Sequence, residues 1–193
     1  MDRRVKRSLQ ALKLSIKELM TEQNFDTITV QDISDRADVN RGTFYSHFYD
    51  KYELLEVVMR EQFQEIISSR LPSSLPWNTE HLRILIHATL DFFTSSRYCH
   101  PPDSAQFQQM IQEELAAWIL QWLRQGSEPP QSEKRIPLET IAMTMSWSIF
   151  GAGMDQRRRM LTASIEEITS DVLAILMKGV EQHLSSGFER SPS

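Results

Sequence analysis

Cysteine is nearly absent from this chain, which contains a single one, Cys99, in 193 residues. A lone cysteine excludes an internal disulfide, so the fold must be held together by its hydrophobic core, and such a composition is typical of a reducing compartment. Cys99 lies between Tyr98 and His100 without a spaced metal ligand or nucleophile partner. We interpret it as a packing or loop residue, with redox sensing as the alternative.

Long hydrophobic runs are also missing. No segment reaches the roughly 18 consecutive apolar residues that indicate a membrane-spanning helix. The N-terminal residues MDRRVKRSLQ are charged and lack the apolar centre of a secretory signal. These absences predict a cytoplasmic protein that does not enter a membrane.

The patterns of common enzyme and cofactor sites are absent as well. The six glycines are scattered and form no phosphate-binding loop, and the Ser, His and Asp residues form no nucleophile-elbow pattern. His81 and His87 are too far apart in sequence to share one helix face as metal ligands. We therefore predict no enzyme activity, no cofactor and no metal site.

Negative charge predominates, at a net −5, but its distribution is uneven. Residues 1–52 carry +1 and residues 53–193 carry −6, and the basic residues of the first segment concentrate near the N-terminus. Because DNA binding depends on the charge of the contacting face, global acidity does not exclude it. Arg3 and Arg4 would contact phosphates or a minor groove, or they form a solvated helix start.

What the chain does have is a helix-start signal repeated three times in a short stretch. Thr29, Asn40 and Asp50 are residues that favour N-cap positions, and Asp32 completes a capping-box-like pair with the first of them. Each cap is flanked by residues at the spacing of a hydrophobic staple. The three staple pairs are Ile28 with Ile33, Val39 with Phe44, and Tyr49 with Leu54.

These signals predict a helix-turn-helix with helices over residues 30–37 and 41–47. The first residue of the connecting turn, Asp38, needs a left-handed backbone, which Gly adopts most easily and Asp tolerates. The second helix is rich in hydrogen-bond donors and contains Gly42, whereas an ordinary surface helix favours Glu, Lys and Ala. Its composition indicates selection for contact with a ligand; a purely structural three-helix unit is the alternative.

Residues 29–55 resemble the DNA-binding domain of the TetR family of bacterial transcriptional regulators. They read TVQDISDRADVNRGTFYSHFYDKYELL, of which RGTFYSHFYDKYELL is the most diagnostic part. The resemblance extends over about residues 3–57, and its visible departure is Asp38, where the family usually has Gly. It implies an all-α protein with a helix-turn-helix domain over residues 1–50 and a helical effector-binding and dimerisation domain over residues 51–193.

The resemblance implies double-stranded DNA as a partner. Arg41 would read a base edge, guanine by preference, or a phosphate, and Tyr45 would contact the groove through its ring and hydroxyl. Phosphate contacts are expected from Lys51 and several hydroxyl and imidazole groups. The predicted DNA-binding residues are Arg3, Arg4, Thr29, Arg41, Gly42, Thr43, Tyr45, Ser46, His47 and Lys51.

The second half continues as helices with apolar stripes, predicted over residues 79–95, 103–125, 138–153 and 164–184, with residues 155–159 as a charged connection. The last two helices have more apolar surface than a small domain covers, which favours a four-helix bundle with a second copy over a wholly intramolecular core. The residues predicted at this homodimer interface are Ile141, Met145, Ile149, Ile168, Val172, Ile175 and Leu176.

Aromatic and Met side chains of the middle helices are of the kind that line an apolar effector cavity, although they would also serve as plain core. The predicted pocket residues are Phe63, Phe107, Met110, Trp118, Trp122, Met143 and Trp147. Because few charged residues lie among these positions, we expect the unknown small-molecule effector to be apolar.

The function predicted from these features is a homodimeric repressor that binds a palindromic operator and is released by an effector. One alternative is a related protein that has lost DNA binding and acts as a ligand-responsive protein partner, or co-activator. Another is a ligand-binding or enzymatic helical protein with an incidental helix-turn-helix.

Overall fold

The computed structural model describes residues 3–71, 78–94, 105–126, 136–159 and 163–180. Regular structure in these ranges is helical throughout, which confirms the predicted all-α class. A single 3-10 turn, Phe25–Thr27, follows the first helix. The helices are α1 (Arg3–Glu22), α2 (Val30–Arg36), α3 (Arg41–Tyr45), α4 (Lys51–Arg70), α5 (Thr79–Thr94), α6 (Ala105–Gly126), α7 (Leu138–Arg159) and α8 (Ile165–Val180). Cys99 lies outside the described residues.

The chain forms two compact units. The first is Met1–Gln62 with Ser95–Met110, and the second is Phe63–Thr94 with Ile111–Ser193. The division therefore falls within α4, and the domain boundary at residues 50 and 51 stays a prediction. No helix in the described ranges is long and apolar enough to cross a membrane.

The first unit is built on the apolar stripe of α1. Leu12 and Ile16 are fully buried there, with Ile33 of α2 and Phe44 of α3 also inaccessible to solvent. α2 packs against both α1 and α3. Burying side chains of this size contributes about 1.5–3 kcal/mol each, so this small cluster fixes the short helices that are too short to be stable alone.

The predicted helix starts are confirmed at all three caps. The Thr29 hydroxyl accepts from the backbone N–H of Asp32 at 3.1 Å, and the Asp32 carboxylate accepts from the Thr29 N–H at 2.8 Å, which is a complete capping box. Asp50 accepts from two backbone N–H groups of α4 at 2.9 Å. The third staple is wrong, because Tyr49 is 85% exposed and does not pack on Leu54.

In the second unit, α5 packs against both α7 and α8. The close approach of α5 to α7 depends on Gly153, since a Cβ there would lie 2.4 Å from a ring carbon of Phe93. The Phe93 ring also meets Phe150 edge-on at 5.6 Å. The charged connection predicted at residues 155–159 is wrong: these residues continue α7, because Asp, Gln and Arg carry no helix-breaking geometry.

Candidate nucleic-acid interface and partner surfaces

The turn between α2 and α3 has the predicted left-handed residue. Asp38 has φ of 53°, which is the only positive φ at a non-glycine residue in the described part of the chain. The N–H of Val39 donates to the carbonyl of Ser34 at 3.0 Å, which closes the turn over the end of α2. Asp38 therefore adopts the left-handed conformation that Gly usually supplies in such turns, at a modest conformational cost.

Asn40 fixes the start of α3. Its side-chain oxygen accepts from the backbone N–H of Thr43 at 2.7 Å and from the Thr43 hydroxyl at 3.1 Å. A Cβ on Gly42 would lie 3.1 Å from the same oxygen. The glycine thus leaves room for the cap, a role that the sequence alone did not indicate.

Arg41 and Tyr45 form an exposed pair, one helical turn apart on α3. A guanidinium Nη2 of Arg41 donates to the Tyr45 hydroxyl at 3.3 Å, and the guanidinium carbon lies 5.8 Å from the ring centroid. Tyr45 is 51% exposed and meets the buried ring of Phe44 edge-on at 5.4 Å. The buried ring thereby positions a phenol and a guanidinium, which offer donors and a flat apolar face outward.

His47 ties the end of α3 to α1. Its Nε2 lies 2.9 Å from the Ser8 hydroxyl, and Ser8 in turn donates to the carbonyl of Val5 at 3.1 Å. The Ser8 hydroxyl therefore links the imidazole of His47 to the backbone of α1. Ser46 bonds back to the carbonyl of Thr43 at 2.7 Å. His47 and Ser46 were predicted to contact DNA; in the structure their polar groups fasten the helix.

Lys51 has its ammonium bonded within the chain, and its phosphate contact stays a prediction. Its Nζ donates to the carbonyls of Phe25, Asp26 and Ile28 at 3.0, 3.0 and 2.7 Å. It also lies 4.7 Å from the ring centroid of Phe25. An ammonium has three N–H donors, so all of them are engaged within the chain. The sequence could not reveal this, because the acceptors are backbone carbonyls more than twenty residues away.

Thr29 is likewise engaged, since its hydroxyl donates to the Asp32 carboxylate at 2.7 Å. Hydrogen bonds from the Thr29 side chain and backbone lower the pKa of Asp32. A second carboxylate, Glu22, accepts two hydrogen bonds from Arg36 at 2.7 and 2.8 Å. These bonds lower the pKa of Glu22, and the carboxylate compensates the positive charge of Arg36. Arg3, Arg4 and Arg41 are exposed on this unit.

Tyr49 is an exposed side chain that the sequence pattern misassigned. It lies between α3 and α4, and its backbone N–H donates to the Glu53 carboxylate. At 85% exposure it presents almost the whole phenol to solvent. Its position before a cap suggested a staple, and only the structure distinguishes an outward from an inward ring there.

The structure corrects the predicted faces of α7. Ile141, Met145 and Ile149, assigned to the dimer interface, are at most 6% exposed within the single chain and offer no surface to a second copy. Met143 and Trp147, assigned to the effector pocket, are 50% and 51% exposed. Because α7 is apolar on every side, periodicity could not tell its inner from its outer face.

On α8, the predicted interface residues divide in the same way. Ile175 is 70% exposed, whereas Leu176 is 6% exposed and belongs to the core. Ile168 and Val172 are half-buried. Among the described residues of α7 and α8, the large apolar side chains that are exposed are Met143, Trp147 and Ile175, and we call these three the α7–α8 apolar face.

Four of the other five predicted pocket residues are buried, and Trp118 is half-buried. Phe63, Phe107, Met110 and Trp122 are at most 4% exposed, and Trp118 meets Trp122 edge-on at 5.9 Å. Beside Phe63, sequence reasoning missed Gln62, which is 4% exposed. Neither its amide oxygen nor its amide nitrogen has a hydrogen-bond partner in the described part of the chain. The described residues include no cluster suited to a metal ion.

Comparison with known proteins places this helix-turn-helix among bacterial regulators. The model of bacterial regulatory proteins of the tetR family matches residues 15–58. The uncharacterised HTH-type transcriptional regulator YxbF of Bacillus subtilis is 36% identical over 76 residues, which are 39% of this chain and 20% of YxbF. The dhaKLM operon transcriptional activator DhaS of Lactococcus lactis is 32% identical over 71 residues, 37% of each chain. The matched segment therefore spans well under half of these relatives.

Solved structures extend the likeness in fold to nearly the whole chain. RolR in complex with resorcinol superposes with a TM-score of 0.66 at 16% identity, covering 91% of this chain and 88% of RolR. A structure of the dihydroxyacetone kinase operon activator DhaS gives 0.55 at 19% identity, covering 92% and 98%. The helix-turn-helix segment of this chain therefore matches the tetR family of bacterial regulatory proteins, and its all-helical fold is similar to that of these solved structures.

Proposed function

We propose that the chain is a transcriptional regulator that binds double-stranded DNA as a homodimer, through the helix-turn-helix of its first unit. The observation that carries the proposal is the exposed Arg41–Tyr45 pair on α3. An ordinary surface helix gains little stability from an exposed tyrosine whose ring is held by a buried one. A helix that lies in a DNA groove, by contrast, needs rigidly held hydrogen-bond donors such as this phenol and guanidinium.

The surrounding contacts support this role. Asn40 caps α3 at one end and His47 anchors the other end to α1, so that Arg41 and Tyr45 are presented on a fixed backbone. Arg41 reads a base edge, with bidentate contact to guanine as the preferred geometry, and Tyr45 contributes apolar and hydroxyl contact. Phosphate contact is assigned mainly to Arg3 and Arg4, which are exposed near the N-terminus.

Homodimerisation follows from the α7–α8 apolar face. Met143, Trp147 and Ile175 are each at least half exposed, and three such side chains on two neighbouring helices are costly to leave in water. Packing this face against its copy makes a two-fold interface and supplies the two recognition helices that a palindromic operator requires.

Effector binding is proposed beside Gln62 of the first unit. Its buried, unpartnered amide costs stability unless a ligand or water completes its hydrogen bonds. The effector is therefore a mainly apolar small molecule with at least one polar group. We propose repression, released by the effector, because occupying an operator blocks transcription without any further contact to the transcription machinery.

The proposal is tested by fluorescence anisotropy with mixed-sequence duplex DNA over a series of salt concentrations. Wild-type protein should bind with an affinity that falls steeply as salt rises. Tyr45→Ala should bind less tightly, while Leu14→Ala, which removes an exposed side chain of α1, should bind as the wild type does.

Sedimentation measurements test the dimer separately. Trp147→Glu places a charge on the α7–α8 apolar face and should shift the protein toward the monomer, with a parallel loss of DNA affinity. A wild-type protein that dimerises yet shows no salt-dependent DNA binding would favour the alternative, a ligand-responsive partner of another protein.

A further inference from the structure

Tyr49 has the most exposed large hydrophobic side chain in the described part of the chain, at 85%. It lies between α3, which ends at Tyr45, and α4, which begins at Lys51. Its backbone N–H is bonded to Glu53, but its phenol makes no hydrogen bond or ring contact with a described residue. The phenol therefore adds nothing to the packing of its own unit.

Two other tyrosines of this unit are exposed but packed. Tyr45 meets Phe44 edge-on at 5.4 Å, and Tyr52 meets Phe25 edge-on at 5.3 Å. Each of these rings is about half exposed, so the contact with its buried neighbour stabilises the fold. No such contact accounts for an aromatic residue at position 49, whereas a partner outside the chain would.

The backbone around Tyr49 is fixed. Phe48 is 5% exposed, and its N–H donates to the carbonyl of Phe44 at 2.9 Å. The N–H of Tyr49 donates to the Glu53 carboxylate, and the Asp50 carboxylate caps α4 by accepting from two backbone N–H groups at 2.9 Å. The phenol thus extends into solvent from a rigid segment, which lowers the entropic cost of ordering it on a partner.

The position of Tyr49 relative to α3 indicates the kind of partner. In a helix-turn-helix the N-terminal residues of the second helix contact base edges. Arg41 is the first residue of α3, whereas Tyr49 lies past the last one. Side chains beyond that end lie beside the sugar-phosphate backbone, and a tyrosine hydroxyl is one of the groups that commonly donate to phosphate oxygens.

The charges near Tyr49 are compatible with a phosphate. Asp50 and Glu53 are its acidic neighbours in sequence, and both carboxylates are bonded to backbone N–H groups around the start of α4. The positive end of the α4 dipole lies there as well and offsets negative charge. The phenol carries its hydroxyl at the far end of an exposed ring, so a phosphate that accepts from it need not approach these carboxylates.

We propose that Tyr49 is a further DNA-contacting residue, whose hydroxyl donates to a phosphate oxygen beside the groove that α3 enters. The inference rests on the proposed DNA-binding function and adds a contact that carries no charge. This contact strengthens binding to any duplex without adding to the dependence of affinity on salt, and it carries no sequence preference.

Fluorescence anisotropy with two mixed-sequence duplexes of different base composition, over a series of salt concentrations, tests the contact. Tyr49→Phe removes only the hydroxyl and should weaken binding about three- to tenfold on both duplexes. The slope of log affinity against log salt concentration should equal that of the wild type, because a phenol displaces no counterion. Tyr52→Phe, the same change at a ring that packs on Phe25, should bind as the wild type does.

Thermal unfolding separates this contact from a structural effect. Because the Tyr49 hydroxyl makes no hydrogen bond with a described residue, Tyr49→Phe should have the Tm of the wild type. Wild-type affinity in Tyr49→Phe, a loss on one duplex alone, an equal loss in Tyr52→Phe or a lower Tm would each overturn the inference, and the DNA-binding function would stand. A wild-type protein without salt-dependent binding to either duplex would overturn both.

Discussion

Removing the ammonium of Lys51 while keeping its aliphatic stem, as in Lys51→Met, perturbs one well-defined contact. The group holds three backbone carbonyls at the 3-10 turn before α2, at 2.7–3.0 Å. A hydrogen bond to a charged group contributes about 1.5–3 kcal/mol when shielded from water. Because Lys51 is half-buried and one of its acceptors is exposed, we expect a loss of about 2–3 kcal/mol, well below the sum of three shielded bonds.

Native-state hydrogen exchange on the full-length protein measures this loss where it occurs. Amides of α2 and α3 should lose protection in Lys51→Met, while amides of α5 and α7 should not change. Lys17→Met removes a lysine of α1 for which the structure assigns no such set of carbonyl contacts, and it should leave protection as in the wild type.

DNA binding distinguishes the two roles of Lys51. A lysine that contacts a phosphate steepens the dependence of DNA affinity on salt. Losing it reduces the slope of log affinity against log salt concentration by about 0.9 in magnitude. A lysine that only fastens the fold leaves the slope close to that of the wild type. Unchanged exchange together with a slope reduced by that amount would refute the structural role and restore the phosphate contact.

Three further predictions concern other parts of the two units. Arg41→Ala should cost about 1–3 kcal/mol of binding and relax base preference at one position, as measured on a set of operator variants; equal losses on every variant would show a phosphate contact. Gly153→Ala should destabilise the second unit by about 1–3 kcal/mol in urea unfolding, because the methyl overlaps an aromatic ring, whereas Gly151→Ala, with open space around it, should be neutral or mildly stabilising. Since the hydrogen bonds from Thr29 lower the pKa of Asp32, the cap stabilises the first unit above roughly pH 4 and its contribution should fade as pH falls through the lowered pKa. Acid titration followed by circular dichroism should show less of this loss in Asp32→Asn, and identical titrations would contradict it.

Features of the helix-turn-helix that depend on neighbours in sequence could be predicted. The Asn40 cap, the capping box at Thr29 and the left-handed Asp38 each follow from a few adjacent side chains. These interactions close within three or four residues, so the residue types alone specify them.

Features that depend on tertiary partners could not be predicted. The carbonyls that hold Lys51, and the ring of Phe93 beside Gly153, are distant in sequence and carry no pattern. For α7, apolar residues on every side removed the periodic signal, so that Met145 and Trp147 were assigned to opposite faces from those they occupy. The unpaired amide of Gln62 is evident only once the surrounding helices are in place.

Selection of bound duplexes from a random library at near-physiological salt tests the central claim most directly, with Tyr45→Ala and Leu14→Ala selected in parallel. Wild type and Leu14→Ala should enrich the same palindrome, with half-sites about one helical turn of DNA apart, and Tyr45→Ala should enrich none. Enrichment of no sequence by the wild type, or of the same palindrome by Tyr45→Ala, would contradict operator recognition through α3.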